Sequence, residues 1–211
     1  MSNQPLLSTT YILDTNLFRY YTHKSNDINV KKNRKAAIDF WNKIIEESTN
    51  QEADVLIPLE VKNELLVQKN NFSDVVNQKI DLLLNHFDID DYVLPPDIEL
   101  QLRVLSSYVV GNYRDVIQPA EMNGSEPYKV TYLQASDARI LASAYMNDGI
   151  LVTRNIKDFV IYLFLCPAGA KCLYDFVEKQ YITIPQEGMD KVLQDTKFQE
   201  MKRNIESALL L

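Results

Sequence analysis

The chain has 211 residues, of which 46% are hydrophobic and 24% are charged, and its 29 acidic and 22 basic residues give a net charge of −7. This length and hydrophobic fraction predict one globular domain, or one domain with an appendage, and they exclude a disordered acidic chain. The acidic balance argues against a protein that coats nucleic acid with a broad basic surface, but it leaves room for one local nucleic-acid site.

Membrane, secreted and zinc-binding classes are also disfavoured. No apolar run approaches the roughly 18 to 20 residues of a membrane helix, and the first residues lack the pattern of a secretory signal. We therefore expect a cytoplasmic protein with no membrane partner. Cys166 and Cys172 are the only cysteines, which fits a reducing compartment. Together with the scattered His23 and His86 they argue against a structural zinc site.

Short strands alternate with longer helices in the predicted order of elements. Strands separated by helices predict parallel crossovers and an α/β sandwich. In chain order, we predict a strand over 10–13, a helix from about Leu17, a helix over 35–47, a strand over 55–57, helices over 59–69, 73–86 and from Pro95-Pro96 to about 113, a loop over 118–129, a helix over 131–147, a strand over 150–153, a strand over 181–184 and a helix over 189–210.

Asp14 directly follows the first predicted strand, at its carboxyl end. The carboxyl ends of parallel strands border the functional crevice of such sheets. Thr15 and Asn16 are suited to cap the helix that follows. Asp14 is therefore either a site residue or an ordinary turn and cap acid, and the local pattern leaves both interpretations open.

Glu64 lies one helical turn after Glu60, in the helix that follows the second strand. This spacing places both acids on one helical face, with Glu64 between Val61 and Val67 on the same side. A solvated helix face is the alternative interpretation.

Asp137 lies on the apolar stripe of a helix that otherwise faces the core. Burying an unpaired carboxylate is costly, so Asp137 should have a cation, a strong donor or a metal as its partner. It could also be an acid of the first helical turn, with Ser136 as the cap. Its neighbours at i−4, i+3, i+4 and i+7 are Leu133, Ile140, Leu141 and Ala144.

Asp158 and Asn155 fall in the predicted loop after the strand that ends at Thr153. Alone, this segment is typical of a turn with a cap. Together with the three acids above, it places convergent oxygen ligands at one edge of a sheet. Such ligands suit Mg²⁺ or Mn²⁺, and a divalent cation would relieve the repulsion between neighbouring carboxylates. A bound ion of this kind can activate water and clamp phosphate oxygens during in-line displacement.

Four motifs, taken in order, give the region from Tyr11 to about Phe159 a resemblance to PIN-domain ribonucleases. They are YILDTNLF, IPLEVKNELL, SDARILASAY and ILVTRNIKDF. The resemblance implies a Rossmann-like three-layer α/β/α sandwich with a central parallel sheet. It also implies Mg²⁺- or Mn²⁺-dependent hydrolysis of RNA phosphodiester bonds.

Residue by residue, the resemblance implies a quartet of catalytic acids that bind metal. Asp14 and Asp137 would be metal ligands, and the other two acids would bind the metal directly or through water. Recurrent polar neighbours would orient the ligands or water. The quartet is Asp14, Glu64, Asp137 and Asp158, and the supporting residues are Asn16, Thr153 and Asn155.

Many small bacterial members of this family are VapC-type toxins, usually homodimeric and inhibited by an antitoxin protein. The present chain departs from them by an added helical region over about 74–113 and by a tail beyond Phe159. Toxin identity, RNA target and dimer formation therefore stay open. We expect a PIN-like catalytic domain over 9–160 and a C-terminal extension over 161–211 that packs on the same domain.

Basic residues are the sequence's main indication of where RNA would bind, and each also has a structural interpretation. A basic cluster, with Lys24 nearby, could contact phosphate or could simply be a solvated helix start. Arg139 and Arg154 flank the acids and could bind phosphate or pair with carboxylates. The basic cluster comprises Lys31, Lys32, Arg34 and Lys35.

Two other functions compete with a ribonuclease. One is a catalytically silent domain of the same fold that binds RNA or protein. The other is a phosphatase with an aspartyl nucleophile. A phosphatase of this kind would resemble the haloacid-dehalogenase family. The motif of that family has a second Asp two residues after the nucleophile, and Asn16 occupies this position here.

Overall fold

A six-stranded sheet forms the centre of the molecule in this computed structural model, which describes residues 9–22, 26–118 and 129–209. The two middle strands are completely buried at Ile12, Leu13, Leu151 and Val152, as expected for parallel strands covered by helices on both faces. The strands are β1 (Thr9–Leu13), β2 (Ala53–Pro58), β3 (Asp88–Asp90), β4 (Ile150–Thr153), β5 (Leu173–Asp175) and β6 (Gln180–Tyr181).

The strand order is β3-β2-β1-β4-β5-β6. The pairs from β3 to β5 are parallel, and β6 runs antiparallel to β5. Tyr11 of β1 lies opposite Val55 of β2 and Ile150 of β4. The chain builds outward from β1 to β3 and then returns to place β4 on the other side of β1. The order therefore reverses between β1 and β4, and a crevice opens at the carboxyl ends of strands at such a point.

Ten α-helices accompany the sheet in the described ranges. They are α1 (Thr15–Thr22), α2 (Ile28–Thr49), α3 (Leu59–Gln68), α4 (Asp74–His86), α5 (Pro96–Tyr113), α6 (Ala135–Met146), α7 (Ile156–Phe159), α8 (Tyr162–Leu165), α9 (Gln186–Leu193) and α10 (Thr196–Leu209).

Helices cover both faces of the sheet. Helices α1, α2 and α4 pack together, and α5, α6, α9 and α10 form a second group. The crossovers from β1 to β2 and from β3 back to β4 run in opposite directions, so right-handed connections place the two groups on opposite faces. The predicted α/β sandwich with a central parallel sheet is therefore confirmed, except that β6 runs antiparallel at one edge.

The turn before β4 holds the two middle strands together. Gly149 packs so closely on β1 that a Cβ atom there would lie 2.5 Å from Cγ1 of Ile12. The hydroxyl of Tyr162 also donates a hydrogen bond of 2.7 Å to the carbonyl of Gly149. A side chain at position 149 would therefore push the start of β4 away from β1.

Several predicted boundaries were wrong. The helix predicted over 131–147 begins at Ala135, because Gln134 caps it. The predicted strand over 181–184 is instead Gln180–Tyr181. The single helix predicted over 189–210 is two helices, because the carboxylate of Asp195 accepts a hydrogen bond of 2.9 Å from the N–H of Phe198 and starts α10 there. Most of the predicted loop over 118–129 lies outside the described residues.

Residues beyond 160 contribute β5 and β6 to the same sheet, and α10 packs against α5. No helix in the described part of the chain is both long and apolar enough to cross a membrane.

Candidate active site

A polar pocket of about 400 Å³ lies where β1 and β4 end. It is bordered by residues from four segments that are far apart in the sequence, and all four acids predicted from the sequence are among them. The lining residues are Asp14, Thr15, Asn16, Arg19, Tyr20, Glu64, Asp137, Ile140, Arg154, Asn155, Lys157 and Asp158.

Asp14 is the most buried of these acids, with 4% of its surface exposed. Its Oδ2 atom accepts hydrogen bonds from Nδ2 of Asn16 at 2.8 Å and from Oγ1 of Thr153 at 2.5 Å. The N–H of Asn155 donates to the same threonine hydroxyl at 2.7 Å, which orients it toward Asp14. Burial raises the pKa of Asp14 above its usual value, and these hydrogen bonds oppose the shift only in part.

Asp137 lies in the first turn of α6, where its Oδ2 atom accepts a hydrogen bond of 3.3 Å from the backbone N–H of Gln134. Loss of solvent raises the pKa of Asp137 to about 7, and the charges of Asp158, Asp14 and Glu64 add to this effect. The charges of these neighbouring acids therefore add to burial in disfavouring the ionised form of Asp137.

Glu64 is held at the pocket wall by two contacts. The hydroxyl of Ser136 donates a hydrogen bond to its Oε1 atom, and Nη2 of Arg19 lies 3.7 Å from its Oε2 atom. The prediction that Ser136 caps α6 was wrong, because Gln134 takes that position. The prediction that Glu64 shares one side of its helix with two valines was also wrong. Val61 is buried and Val67 is 79% exposed, so Glu64 lies at the border between core and solvent.

Asp158 lies in the short helix α7, whereas the sequence predicted a loop. The hydroxyl of Thr131 donates a hydrogen bond to its Oδ1 atom. The backbone N–H of Thr131 also donates to the carbonyl of Lys157 at 2.9 Å. The segment before α6 therefore holds α7, and with it Asp158, against the pocket.

The two arginines predicted to flank the acids take different places. Arg154 lines the pocket, and its Nη1 atom lies 2.6 Å from Oδ2 of the completely buried Asp175. Arg139 does not line it, because its guanidinium pairs with Glu60 at 3.1 Å and with Glu99 at 2.7 Å. The structure thus places one of these two arginines in the site.

The predicted basic cluster is not brought to the pocket. Lys31, Lys32, Arg34 and Lys35 lie in the first turns of α2, and Nζ of Lys32 pairs with Glu178 at 2.7 Å. Lys24 and His23 lie outside the described residues.

Five further pocket residues were not predicted as site residues: Thr15, Arg19, Tyr20, Ile140 and Lys157. A signal for Arg19 was present, because it follows Thr15 by four residues and Asn16 by three, which places it on the same face of the helix. Lys157 immediately precedes Asp158. Among the described residues, no carboxylate pairs with its ammonium group.

The chemistry of the donors fits a hard divalent cation. Four carboxylates border one space, burial and neighbouring acids disfavour the ionised forms of Asp14 and Asp137, and among the described residues Arg19 pairs with Glu64 alone. Oxygen donors of this kind suit Mg²⁺ or Mn²⁺ rather than zinc. Within the described ranges, no three His, Cys, Asp or Glu side chains are already gathered around one point as a metal-binding group. Instead, the acids make hydrogen bonds along the pocket wall.

Comparison of the chain with protein-family models, with curated proteins and with solved structures finds no significant match.

Proposed function

We propose that this protein is a metal-dependent endoribonuclease that hydrolyses RNA phosphodiester bonds at the acidic pocket. One observation carries the proposal. Carboxylates from four separate segments border a single pocket at the carboxyl ends of the middle strands, and three of them raise the pKa of the fourth, Asp137. Repulsion of this kind is what a divalent cation would relieve.

The four acids would hold Mg²⁺ or Mn²⁺. Asp14 and Asp137 would be direct ligands, and Glu64 and Asp158 would act directly or through water. When bound, the ion would polarise the scissile phosphodiester and lower the pKa of an attacking water.

Hydroxyl and amide groups of the chain orient these acids. Thr153 and Asn16 bind the same oxygen of Asp14, which turns that carboxylate toward one side of the pocket. Ser136 does the same for Glu64, and Thr131 for Asp158. Outer partners of this kind usually change metal affinity or activity by about 10- to 100-fold when they are removed.

Cationic side chains along the same wall suit the charge of the substrate. Arg154 is anchored by the buried Asp175, and Lys157 follows it in the same segment. Both would contact phosphate oxygens, because affinity for a nucleic acid requires cations near its backbone.

The choice of RNA as substrate rests on the resemblance of the four motifs to PIN-domain ribonucleases. A toxin role, an antitoxin partner and a homodimer rest on the same resemblance and stay predictions.

The proposal is tested by Mn²⁺-dependent cleavage of a mixed-sequence single-stranded RNA. Asp14→Asn and Asp137→Asn should each lower cleavage at least about 100-fold, because each removes a direct ligand. Asp190→Asn, in α9 and outside the pocket, serves as the matched control and should cleave like the wild type. Circular dichroism would verify that all variants fold.

Undiminished cleavage by both pocket variants would reject the proposal. Specific RNA binding by the wild type without cleavage would instead favour the catalytically silent module of the same fold.

A further inference from the structure

A second and larger pocket, of about 710 Å³, adjoins the acidic one. It lies between the end of α1, the short 3₁₀ turn Lys69–Asn71 and the beginning of α4. Its wall includes the rings of Tyr20 and Phe72 and the side chain of Val76. The acidic pocket is polar, and this neighbouring space is mainly apolar and aromatic.

Arg19 and Tyr20 line both pockets, so the two spaces adjoin at these side chains. The guanidinium of Arg19 faces both. Its Nη2 atom lies 3.7 Å from Glu64 in the acidic pocket, and its Nε atom donates a hydrogen bond of 3.1 Å to Oε1 of Gln68 in the apolar one. A ligand that extends from one pocket into the other must therefore pass this arginine.

We propose that the apolar pocket binds an unpaired nucleobase of the RNA strand whose phosphate occupies the acidic pocket. The inference rests on the proposed function, because that function places the phosphate in the adjoining acidic pocket. It adds to that function a second binding site, namely a pocket for one nucleobase beside the cleaved bond.

The side chains of the apolar pocket match the chemistry of a base. Phe72 and Tyr20 are only partly buried and line this pocket, and the ring of Tyr20 also lies 6.1 Å from that of Phe176. Stacking on aromatic rings is the usual way in which proteins hold unpaired bases. Gln68 carries an amide that can reach the hydrogen-bonding edge of a base, and the volume is within the usual range of small-ligand pockets.

Charge also favours RNA as the occupant. The described residues that line this pocket include the cations Arg19 and Lys79 and no acidic side chain, in a chain of net charge −7. A base inserted here would carry its flanking phosphates toward these two cations. A double helix keeps its bases stacked and paired, so it could not enter.

The test measures binding of a fluorescein-labelled eight-nucleotide single-stranded RNA by anisotropy, in EDTA and at fixed salt, to the full chain. Phe72→Leu keeps an apolar side chain for packing but removes the flat ring, so we expect affinity to fall about tenfold. Phe72→Trp restores a ring and should bind within about threefold of the wild type. Leu82→Ala is the control, because Leu82 lies on α4 but is 71% exposed and does not line the pocket.

Equal affinity of the wild type and Phe72→Leu would overturn the inference and would leave the pocket to another occupant, such as a segment of a partner protein. Equal affinity for the single strand and for the same sequence as a duplex would overturn it as well. The binding assay needs no metal and no cleavage. A Phe72-dependent affinity without Mn²⁺-dependent cleavage would therefore support the base site and reject only the proposed chemistry. Mn²⁺-dependent cleavage together with an RNA affinity that does not depend on Phe72 would support the proposed chemistry and reject only the base site.

Discussion

Helices α3 and α6 carry charged residues into two neighbouring regions that differ in how charge is balanced. In the first region, Glu60 and Glu99 pair with Arg139 at 3.1 and 2.7 Å. In the second, Glu64 and Asp137 border the acidic pocket, although Glu64 is one helical turn from Glu60 and Asp137 is two residues from Arg139.

The pKa shifts show what this difference means. In the first region, hydrogen bonds to Glu60 and Glu99 raise the pKa of Arg139, so the acids and the cation stabilise each other's charge. In the second region, burial and neighbouring acids raise the pKa of Asp137 to about 7. The chain neutralises its acids where they serve structure, and it leaves incompletely neutralised those that we propose to bind a metal.

The largest expected difference between the regions is in cleavage. Glu64→Gln should lower Mn²⁺-dependent cleavage of single-stranded RNA by about 10- to 100-fold, because it removes a carboxylate that would bind the metal directly or through water. Glu60→Gln, one turn away on the same helix, should change cleavage less than about threefold. If the two variants lost RNA cleavage equally, the two regions would not differ in function.

The next expected difference is in the pH dependence of stability without metal. The pKa of Asp137 rises from 3.8 to about 7 on folding, so the folded chain holds this proton more tightly than the unfolded chain does. The free energy of unfolding should therefore fall as the pH rises from about 4 to about 7, where Asp137 is forced to ionise.

Asp137→Asn removes this cost and should raise the free energy of unfolding by roughly 2 to 4 kcal/mol at pH 8 in EDTA, with little change at pH 4. Urea denaturation of the wild type and of Asp137→Asn at pH 8 and at pH 4 measures these two changes in the free energy of unfolding. Glu60→Gln should slightly destabilise the protein at pH 8, since it deprives Arg139 of a partner. A lower free energy of unfolding for Asp137→Asn than for the wild type at pH 8 would contradict the inference that ionised Asp137 destabilises the folded chain.

The smallest expected effect on stability is in the first region, where Arg139 pairs with Glu60 and Glu99. The side chain of Arg139 is 43% exposed, and exposed ion pairs contribute little. Arg139→Gln should lower the free energy of unfolding by about 1 kcal/mol or less and should leave RNA cleavage intact. A loss of cleavage comparable to that of Glu64→Gln would place Arg139 in the site after all.

Much of the fold was predictable from local pattern. The strands at β1, β2 and β4 are apolar runs between helices, and their order implied a parallel sheet with its crevice at their carboxyl ends. Strand β3 was missed because Asp88–Asp90 is one isoleucine between two acids. It forms only through its pairing with β2. Strand β5 was missed because Leu173–Asp175 is too short to show a pattern.

The candidate site was predictable only in part. Three of the acids were found from their positions at or beside strand ends, and Asp137 was found from its place on the apolar stripe of a helix. The structure brings all four to one pocket. Thr153, the hydroxyl partner of Asp14, was predicted from the family resemblance. The hydroxyl partners of two other acids were not predicted, since Ser136 is 72 residues from Glu64 and Thr131 is 27 from Asp158. The pairing of Arg139 likewise depends on Glu60, 79 residues away. Such distant partners are set by packing, which local spacing does not encode.

Titration calorimetry with Mn²⁺ at pH 7.5 shows directly whether the acidic pocket binds a divalent cation. We expect saturable binding to the wild type, the same binding to Glu60→Gln, and loss of binding in Asp137→Asn. No saturable binding to the wild type, or binding that survives unchanged in Asp137→Asn, would contradict the proposed metal site.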